Sequence, residues 1–303
     1  MKSLKGIFLL IVANLMVFLT LVISGNLLIH FVLPAFGIDV RGTFASYQFA
    51  WAMVFGFGGA FISLLMSKSM AKRMYRMQQV IEPVTPKERL VFNTVKELAA
   101  REGIRMPEVW VYWDDTPNAF ATGPTRNNAM IAVSSGLATQ MSDDELRAVL
   151  AHEMGHIANG DMVATTLLQG MMNTFVYFLA SIIARIVASA GSRDGEMNYG
   201  LYFIVNMTLQ ILLSILAMIV VCWHSRRREF RADAYSARAY GADSMISALQ
   251  RLAALSQPEE QPALATQDAL ATLKISGGFS GLFATHPPID QRIAALRESV
   301  SRK

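Results

Sequence analysis

The chain has 303 residues, 53% of them hydrophobic and only 17% charged, where a soluble domain carries about 25% charged residues; with a mean hydropathy of +0.34, this points to a membrane protein. The single cysteine, Cys222, lies in an apolar run, which excludes an intrachain disulfide and a cysteine metal site. The net charge is +4, but the Lys and Arg residues sit beside apolar runs instead of forming a stripe, which argues against nucleic acid as a partner.

Four apolar runs are long enough for a helix to cross a bilayer, which takes about 20 residues. The first covers residues 7–32, too long for a signal-peptide core and without a clear cleavage site, so it reads as a retained anchor. The second covers 47–66, with Gly56, Gly58 and Gly59 suited to close helix contact. The third, 162–187, carries Asn173 and Arg185, and Arg185 is placed to snorkel. The fourth covers 199–223 and has no charged residue. Lys2 and Lys5 precede the first run, Lys68, Lys72, Arg73 and Arg76 follow the second, and Arg226, Arg227 and Arg228 follow the fourth. The loops near Asp39 and from Gly191 to Asn198 are nearly neutral, so the positive-inside rule places both termini in the cytoplasm.

Between the second and third runs the chain reads as soluble. Residues 86–100 form an amphipathic helix with Leu90, Val91, Val95 and Leu98 on one face. Residues 109–113, 118–122 and 130–133 are strand-like, the last two flanking a turn-rich stretch at 123–128. Ser142 and Glu145 form a capping-box pattern that opens a helix reaching a stop at Gly160. Beyond the fourth run, 226–255 reads as one helix with an interruption at Gly241. Residues 256–288 are irregular with room for a short helix, and 289–298 form a final helix.

The chemistry concentrates at His152-Glu-Met-Gly-His156. Histidines four apart on a helix project from one face, so two imidazoles can reach one zinc ion. Glu153 is too close in sequence to be an obvious third ligand. It is well placed to take a proton from a water whose pKa zinc lowers toward about 7. A catalytic zinc needs a third protein ligand, and the candidates are Asp161, Glu229, Asp233 and His286. Glu229 and Asp233 share a helix face; Glu229 can ligate while Asp233 accepts a hydrogen bond from the far nitrogen of a histidine ligand. The competing reading of that stretch is a salt-bridged helix start.

Taken in order, Asn118-Ala-Phe-Ala-Thr-Gly123, His152-Glu-Met-Gly-His156 with Asp161, an apolar hairpin, Glu229-Phe-Arg-Ala-Asp233 and Thr285-His-Pro-Pro288 resemble the HtpX family of bacterial membrane-bound zinc endopeptidases and, more distantly, the type I CAAX prenyl proteases. The resemblance covers nearly the full length. It implies one zinc per chain held by His152, His156 and Glu229, with Glu153 as the base. It implies also that His286 stabilises the oxyanion. Asn118, Ala119 and Phe120 resemble an edge strand that holds substrate backbone by strand addition. Arg292, six residues after His286, is a candidate to assist at the substrate, against a plain surface charge.

The expected fold is therefore a mainly α integral membrane protein, with four transmembrane helices and a cytoplasmic α+β zincin-like metalloprotease domain with a small β-sheet. Its expected parts are an N-terminal membrane hairpin (1–66), the first half of the catalytic domain (67–161), a second membrane hairpin (162–224) and the second half (225–303). The hairpin would return Glu229 to His152 and His156. The expected function is cleavage of misfolded or damaged membrane proteins and unfolded polypeptides at the cytoplasmic face of a cell inner membrane, with the lipid bilayer as the other partner. The alternatives are processing of lipidated C-termini and a transporter with an incidental metal. The transporter is disfavoured because the first, second and fourth runs lack Asp, Glu, Lys and Arg.

Overall fold

The computed structural model describes residue 16 and residues 18–190, 197–255 and 284–301. Lys2, Lys5, the start of the first apolar run, most of the 191–198 loop and most of the irregular 256–288 segment lie outside the described residues. The chain divides into two compact units, Met1–Leu64 with Thr166–Val221 and Leu65–Thr165 with Cys222–Lys303.

Four helices among the described residues are long and apolar enough to cross a membrane: α1 (Phe18–Ala35), α2 (Phe44–Met74), α6 (Asp161–Ala190) and α7 (Tyr199–Tyr240). At 1.5 Å per residue, the 42 residues of α7 far exceed what a bilayer needs. Its helix does not stop where the apolar run ends at Trp223 but continues to Tyr240.

Within the first unit, small residues set the helix contacts. A Cβ on Gly56 would lie 2.2 Å from Thr174 Oγ1 and 2.6 Å from Thr174 N. The Thr174 hydroxyl donates to Gly170 O at 2.8 Å and approaches Ala52 O at 3.3 Å. Gly58 leaves room for Leu21, whereas Gly59 has nothing within 4 Å, so two of the three expected glycine contacts are made. Arg185 places its guanidinium 3.9 Å from the centre of the Phe44 ring.

The second unit holds a four-stranded sheet of β1 (Met77–Gln79), β2 (Glu108–Tyr112), β3 (Ala119–Thr125) and β4 (Asn128–Ser134), in the order β1-β2-β4-β3. β2 and β4 run parallel, and the outer pairs are antiparallel. β4 is buried from Ala129 to Ser134, as its apolar run requires of a central strand. That leaves β3 as an edge. The sheet packs on α3 (Pro86–Arg101) and α5 (Asp143–Ala158), which begin with capping boxes at Thr85 and Ser142. The shared core includes Val95, Leu98, Ile131, Val133, Leu150 and Ile157. A short α4 (Ser135–Gln140), α8 (Ala242–Leu255) and α9 (Ile289–Ser301) complete the unit. Glycines with positive φ separate successive helices: Gly160 at +70° between α5 and α6, and Gly241 at +91° between α7 and α8.

Two of the basic residues that follow the second apolar run have a further job. Lys68 and Lys72 hold the two oxygens of Glu108 at 2.6 and 2.8 Å. Lys68 also donates to Asn128 Oδ1, and Lys72 sits over the Trp110 ring. The end of α2 is thereby pinned to the sheet within the second unit.

Candidate active site

α5 is buried along most of its length, with Leu146, Ala148–His152, Met154, Gly155 and Ile157 all inside. Gly155 permits this: a Cβ there would meet Ala232 Cα and Tyr235 Cβ, both at 3.1 Å. Two turns earlier on α5, Ala148 O accepts the buried Ser236 hydroxyl at 2.7 Å. α5 and the C-terminal part of α7 therefore lie in direct contact, and that contact sets Glu229 and Asp233 against the two histidines.

His152 Nε2 lies 3.5 Å from Glu229 Oε2, and His156 Nε2 lies 3.3 Å from Glu229 Oε1. Among the described residues, these three side chains form a group that could hold a metal ion, with one donor atom from each all within 4.8 Å of one another. Ligands about 2.0–2.1 Å from a tetrahedral ion stand about 3.3 Å apart, so the spacing suits one ion between them. The far nitrogens are fixed. His152 Nδ1 donates to Asp233 Oδ1 at 2.8 Å, and His156 Nδ1 donates to Asp161 Oδ2 at 2.7 Å. With Nδ1–H committed to a carboxylate, each Nε2 presents its lone pair to the shared point, the arrangement that orients imidazole toward a cation. Glu229 is 3% exposed. Its Oε2 makes no well-formed hydrogen bond among the described residues, although His286 Nδ1 stands 2.9 Å away. Arg292 Nη1 stands 3.5 Å from the same oxygen, and a buried carboxylate oxygen so weakly paired is costly, so this donor set fits a metal.

Electrostatics agree. Burial works against the charged form of His156, but Asp161 and Glu229 outweigh it and carry the imidazole up to about 9. His152 is likewise opposed by burial and raised by Asp233 and Glu229. The site is built for positive charge, which protons or a metal can supply. Loss of solvent pushes the Glu153 carboxyl above the usual carboxylate range, against the opposing pull of the two histidines. A backbone hydrogen bond from Ala121 on the edge strand reaches it.

A cavity of about 460 Å³ opens over this group, with Asn118, Ala119, Phe120, Glu153 and His286 on its walls. Asn118 to Ala121 thus lie alongside the histidines on an unpaired sheet edge. The Phe120 ring packs with Tyr75 and Tyr112 at 5.5 and 6.1 Å between centroids. The side chain of His286 is 68% exposed, within reach of Glu229 and open to the cavity.

Two residues differ from the sequence reading. Arg292, expected against substrate or at the surface, is 8% exposed. Its Nε donates to Asp233 Oδ2 at 2.8 Å and its Nη2 to Oδ1 at 2.6 Å. It secures the carboxylate that holds His152. Asp161, weighed as a third ligand, is 1% exposed and faces the rear nitrogen of His156 instead. The sequence signal for it is thin: an acid five residues after the second histidine, just past the Gly160 stop.

Fold and site together define a membrane-embedded metallopeptidase. Residues 86–300 match peptidase family M48. Protease HtpX of Pasteurella multocida is 48% identical over 255 residues, covering 83% of this chain and 87% of its own. Protease HtpX of Tolumonas auensis is 45% identical over 300 residues, covering 97% and 99%. The chain belongs to peptidase family M48. The crystal structure of S. mikatae Ste24p superposes with a TM-score of 0.58 at 19% identity, a likeness of fold; it covers 94% of this chain but 65% of the longer Ste24p chain. Polypeptide substrates follow from the family, and the alternative of a transporter with an incidental metal is set aside.

Proposed function

We propose that this chain is a zinc-dependent endopeptidase that cleaves misfolded or damaged membrane proteins and unfolded polypeptides at the cytoplasmic face of a bacterial inner membrane. The observation that carries the reading is the pair of histidines, each held from behind by a carboxylate and turned toward Glu229, with Glu153 beside them. Relatives of high coverage named Protease HtpX support it. Nitrogen donors with one carboxylate suit zinc. The proposed parts remain two membrane hairpins (1–66 and 162–224) and a catalytic domain in two halves (67–161 and 225–303).

In this mechanism His152, His156 and Glu229 hold the ion, and Asp233 and Asp161 keep each imidazole in the tautomer that ligates. Bound zinc supplies Lewis acidity to water and to the scissile carbonyl. The substrate lies along β3 as an added strand, with main-chain hydrogen bonds to Asn118, Ala119 and Phe120 fixing its register. Glu153, beside the two histidines, takes the proton from the attacking water and passes it to the leaving nitrogen. His286, at the open wall, donates to the carbonyl oxygen as charge develops there. The four apolar helices put this site on a membrane protein, and Lys68, Lys72, Arg73, Arg76 and Arg226–Arg228 favour a cytoplasmic face.

The test compares wild type with Glu153→Gln in proteoliposomes with zinc and an unfolded membrane protein. Loss of a base costs about 10²–10⁴ in rate, and because Glu153 is not a ligand the variant keeps its metal. A folded, zinc-free Glu153→Gln protein would refute the assigned role. A reporter fused after Lys303 should remain cytoplasmic, and its export would overturn the orientation.

A further inference from the structure

The three arginines that close the fourth apolar run do different work. Arg226 Nη1 donates to Ala284 O at 2.8 Å. Arg228 donates to Ser225 Oγ at 3.0 Å and to Asp161 O at 3.3 Å. Both are turned into the second unit. Arg227 is exposed and forms no hydrogen bond or ion pair among the described residues. Its guanidinium lies 4.7 Å from the centre of the Trp223 ring, and Trp223 is itself 51% exposed at the end of the apolar run. Arg231 lies one turn further on. Its side chain is 56% exposed, and its ion pair to Asp161 Oδ1 is long, at 3.4 Å.

Trp223, Arg227 and Arg231 are four apart along α7, so they share one face. Glu229 and Asp233 on the same helix are buried, so this stripe is separate from the metal group. At 1.5 Å per residue, Arg227 stands about 6 Å and Arg231 about 12 Å beyond the ring along the helix. The headgroup layer is about 5–8 Å thick on each side of a bilayer, and an indole that ends an apolar span settles at its inner boundary. Arg227 then stands among the lipid phosphates and Arg231 at their outer margin. Topology alone asks only for positive charge near a span. Stacking on an indole does more, because it holds the guanidinium plane and leaves its N–H fork free to take two phosphate oxygens in parallel.

We propose that Trp223, Arg227 and Arg231 form a binding site for the headgroup of an anionic phospholipid, with Arg227 holding the phosphate and Trp223 fixing its depth. A choline headgroup would bring a cation beside two arginines, so a lipid of net negative charge is preferred. The site depends on α7 crossing the bilayer and not on the peptidase reading, which its failure would leave untouched.

The test uses the full-length, zinc-loaded protein in phosphatidylcholine vesicles, into which brominated phosphatidylglycerol or brominated phosphatidylcholine is titrated. Bromine quenches tryptophan at contact, and subtracting the signal of Trp223→Phe isolates Trp223 from Trp51, Trp110 and Trp113. Wild type should favour phosphatidylglycerol at Trp223 by about 5–25-fold, near fivefold for each arginine at a charged surface. Arg227→Gln should lower the preference about fivefold and keep its zinc, since its contact is with Trp223. Arg73→Gln, an equal loss of charge after the second apolar run, should leave the preference unchanged, as should millimolar inorganic phosphate at constant ionic strength. Equal quenching by the two lipids in wild type, or a preference in Arg227→Gln equal to wild type, overturns the site. An equal fall in Arg73→Gln overturns it in favour of a diffuse surface field, and relief by inorganic phosphate overturns it in favour of a free anion.

Discussion

Arg292→Met is the sharpest probe of how the site is held. In the folded protein the guanidinium makes two hydrogen bonds to Asp233, at 2.8 and 2.6 Å, and Asp233 in turn accepts from His152 at 2.8 Å. Asp233 is 2% exposed and Arg292 8%. Removing one member of a buried ion pair costs about 3–5 kcal/mol, because the other charge stays buried. At about 2–4 °C per kcal/mol for a unit of this size, the melting temperature should fall by roughly 6–20 °C. Asp233 then loses its fixed position, so zinc affinity should drop by about 10–100-fold, the usual consequence of losing the group behind a ligand. Arg292→Met combined with Asp233→Leu separates the two effects. With neither charge left, most of the thermal loss should be recovered, since apolar replacement of a buried pair is often neutral. Zinc affinity should stay low, because His152 has lost its acceptor. Thermal denaturation of the zinc-free protein and competition titration with a zinc chelator read both quantities. If Arg292→Met melts within about 2 °C of wild type and binds zinc equally well, the guanidinium does not hold the carboxylate, and the chain Arg292–Asp233–His152 has no energetic content.

Asp161→Ala should lower zinc affinity by about 10–100-fold through His156. Full affinity in chelator competition would show that Asp161 serves only to join α5 and α6. Glu108 gives a pH signature: burial opposes its charge, but Lys68, Lys72 and Trp110 outweigh it and hold the carboxyl at about 2 against an ordinary 4.5. The depressed value means that its stabilisation is present above about pH 4.5 and is lost as pH falls toward 2. The full shift corresponds to about 3 kcal/mol, which its one-third exposure discounts to about 1–2 kcal/mol. Glu108→Gln should therefore be less stable than wild type at pH 6, and the two should converge near pH 2; a constant gap would refute the assignment. In the first unit, Gly56→Val should sharply reduce folded protein in detergent, because its Cβ would meet Thr174 Oγ1 at 2.2 Å. Gly59→Ala, with open space at its Cβ, should purify like wild type.

Much of this was legible because it is local. Hydropathy summed over 20 residues finds a bilayer span wherever it lies: the second, third and fourth apolar runs fall within long helices, and the first does so from Phe18 onward, residues 7–15 and 17 lying outside the described residues. The Ser142 capping box marks the start of α5 with bonds among adjacent residues. Arg292 was misread because burial of a charge leaves no mark in neighbouring residues: it opens a short polar helix and looks like any solvated arginine. β1 was missed for a related reason. Met77, Gln78 and Gln79 have no strand character of their own and become a strand through pairing with Tyr112, Val111 and Trp110. The continuity of α7 was hidden by Arg226, Arg227 and Arg228, which end an apolar run without ending a helix.

The metal group shows where the boundary falls. His152 and His156 are four residues apart on one helix, and Glu229 and Asp233 are four apart on another. Each spacing puts its pair on one face, and each is visible in the sequence. Neither says which helix faces meet. The meeting depends on Gly155, at the fourth position of His-Glu-Met-Gly-His, where α7 approaches too closely for a side chain to be accommodated without displacement. A glycine inside a helix costs about 0.5–1 kcal/mol relative to alanine, so its presence there has to be repaid by a contact. The sequence displays that local cost and conceals the contact that offsets it. Only the fold shows that the space left by Gly155 is filled by Ala232 and Tyr235, one residue before and two after the aspartate that steadies His152.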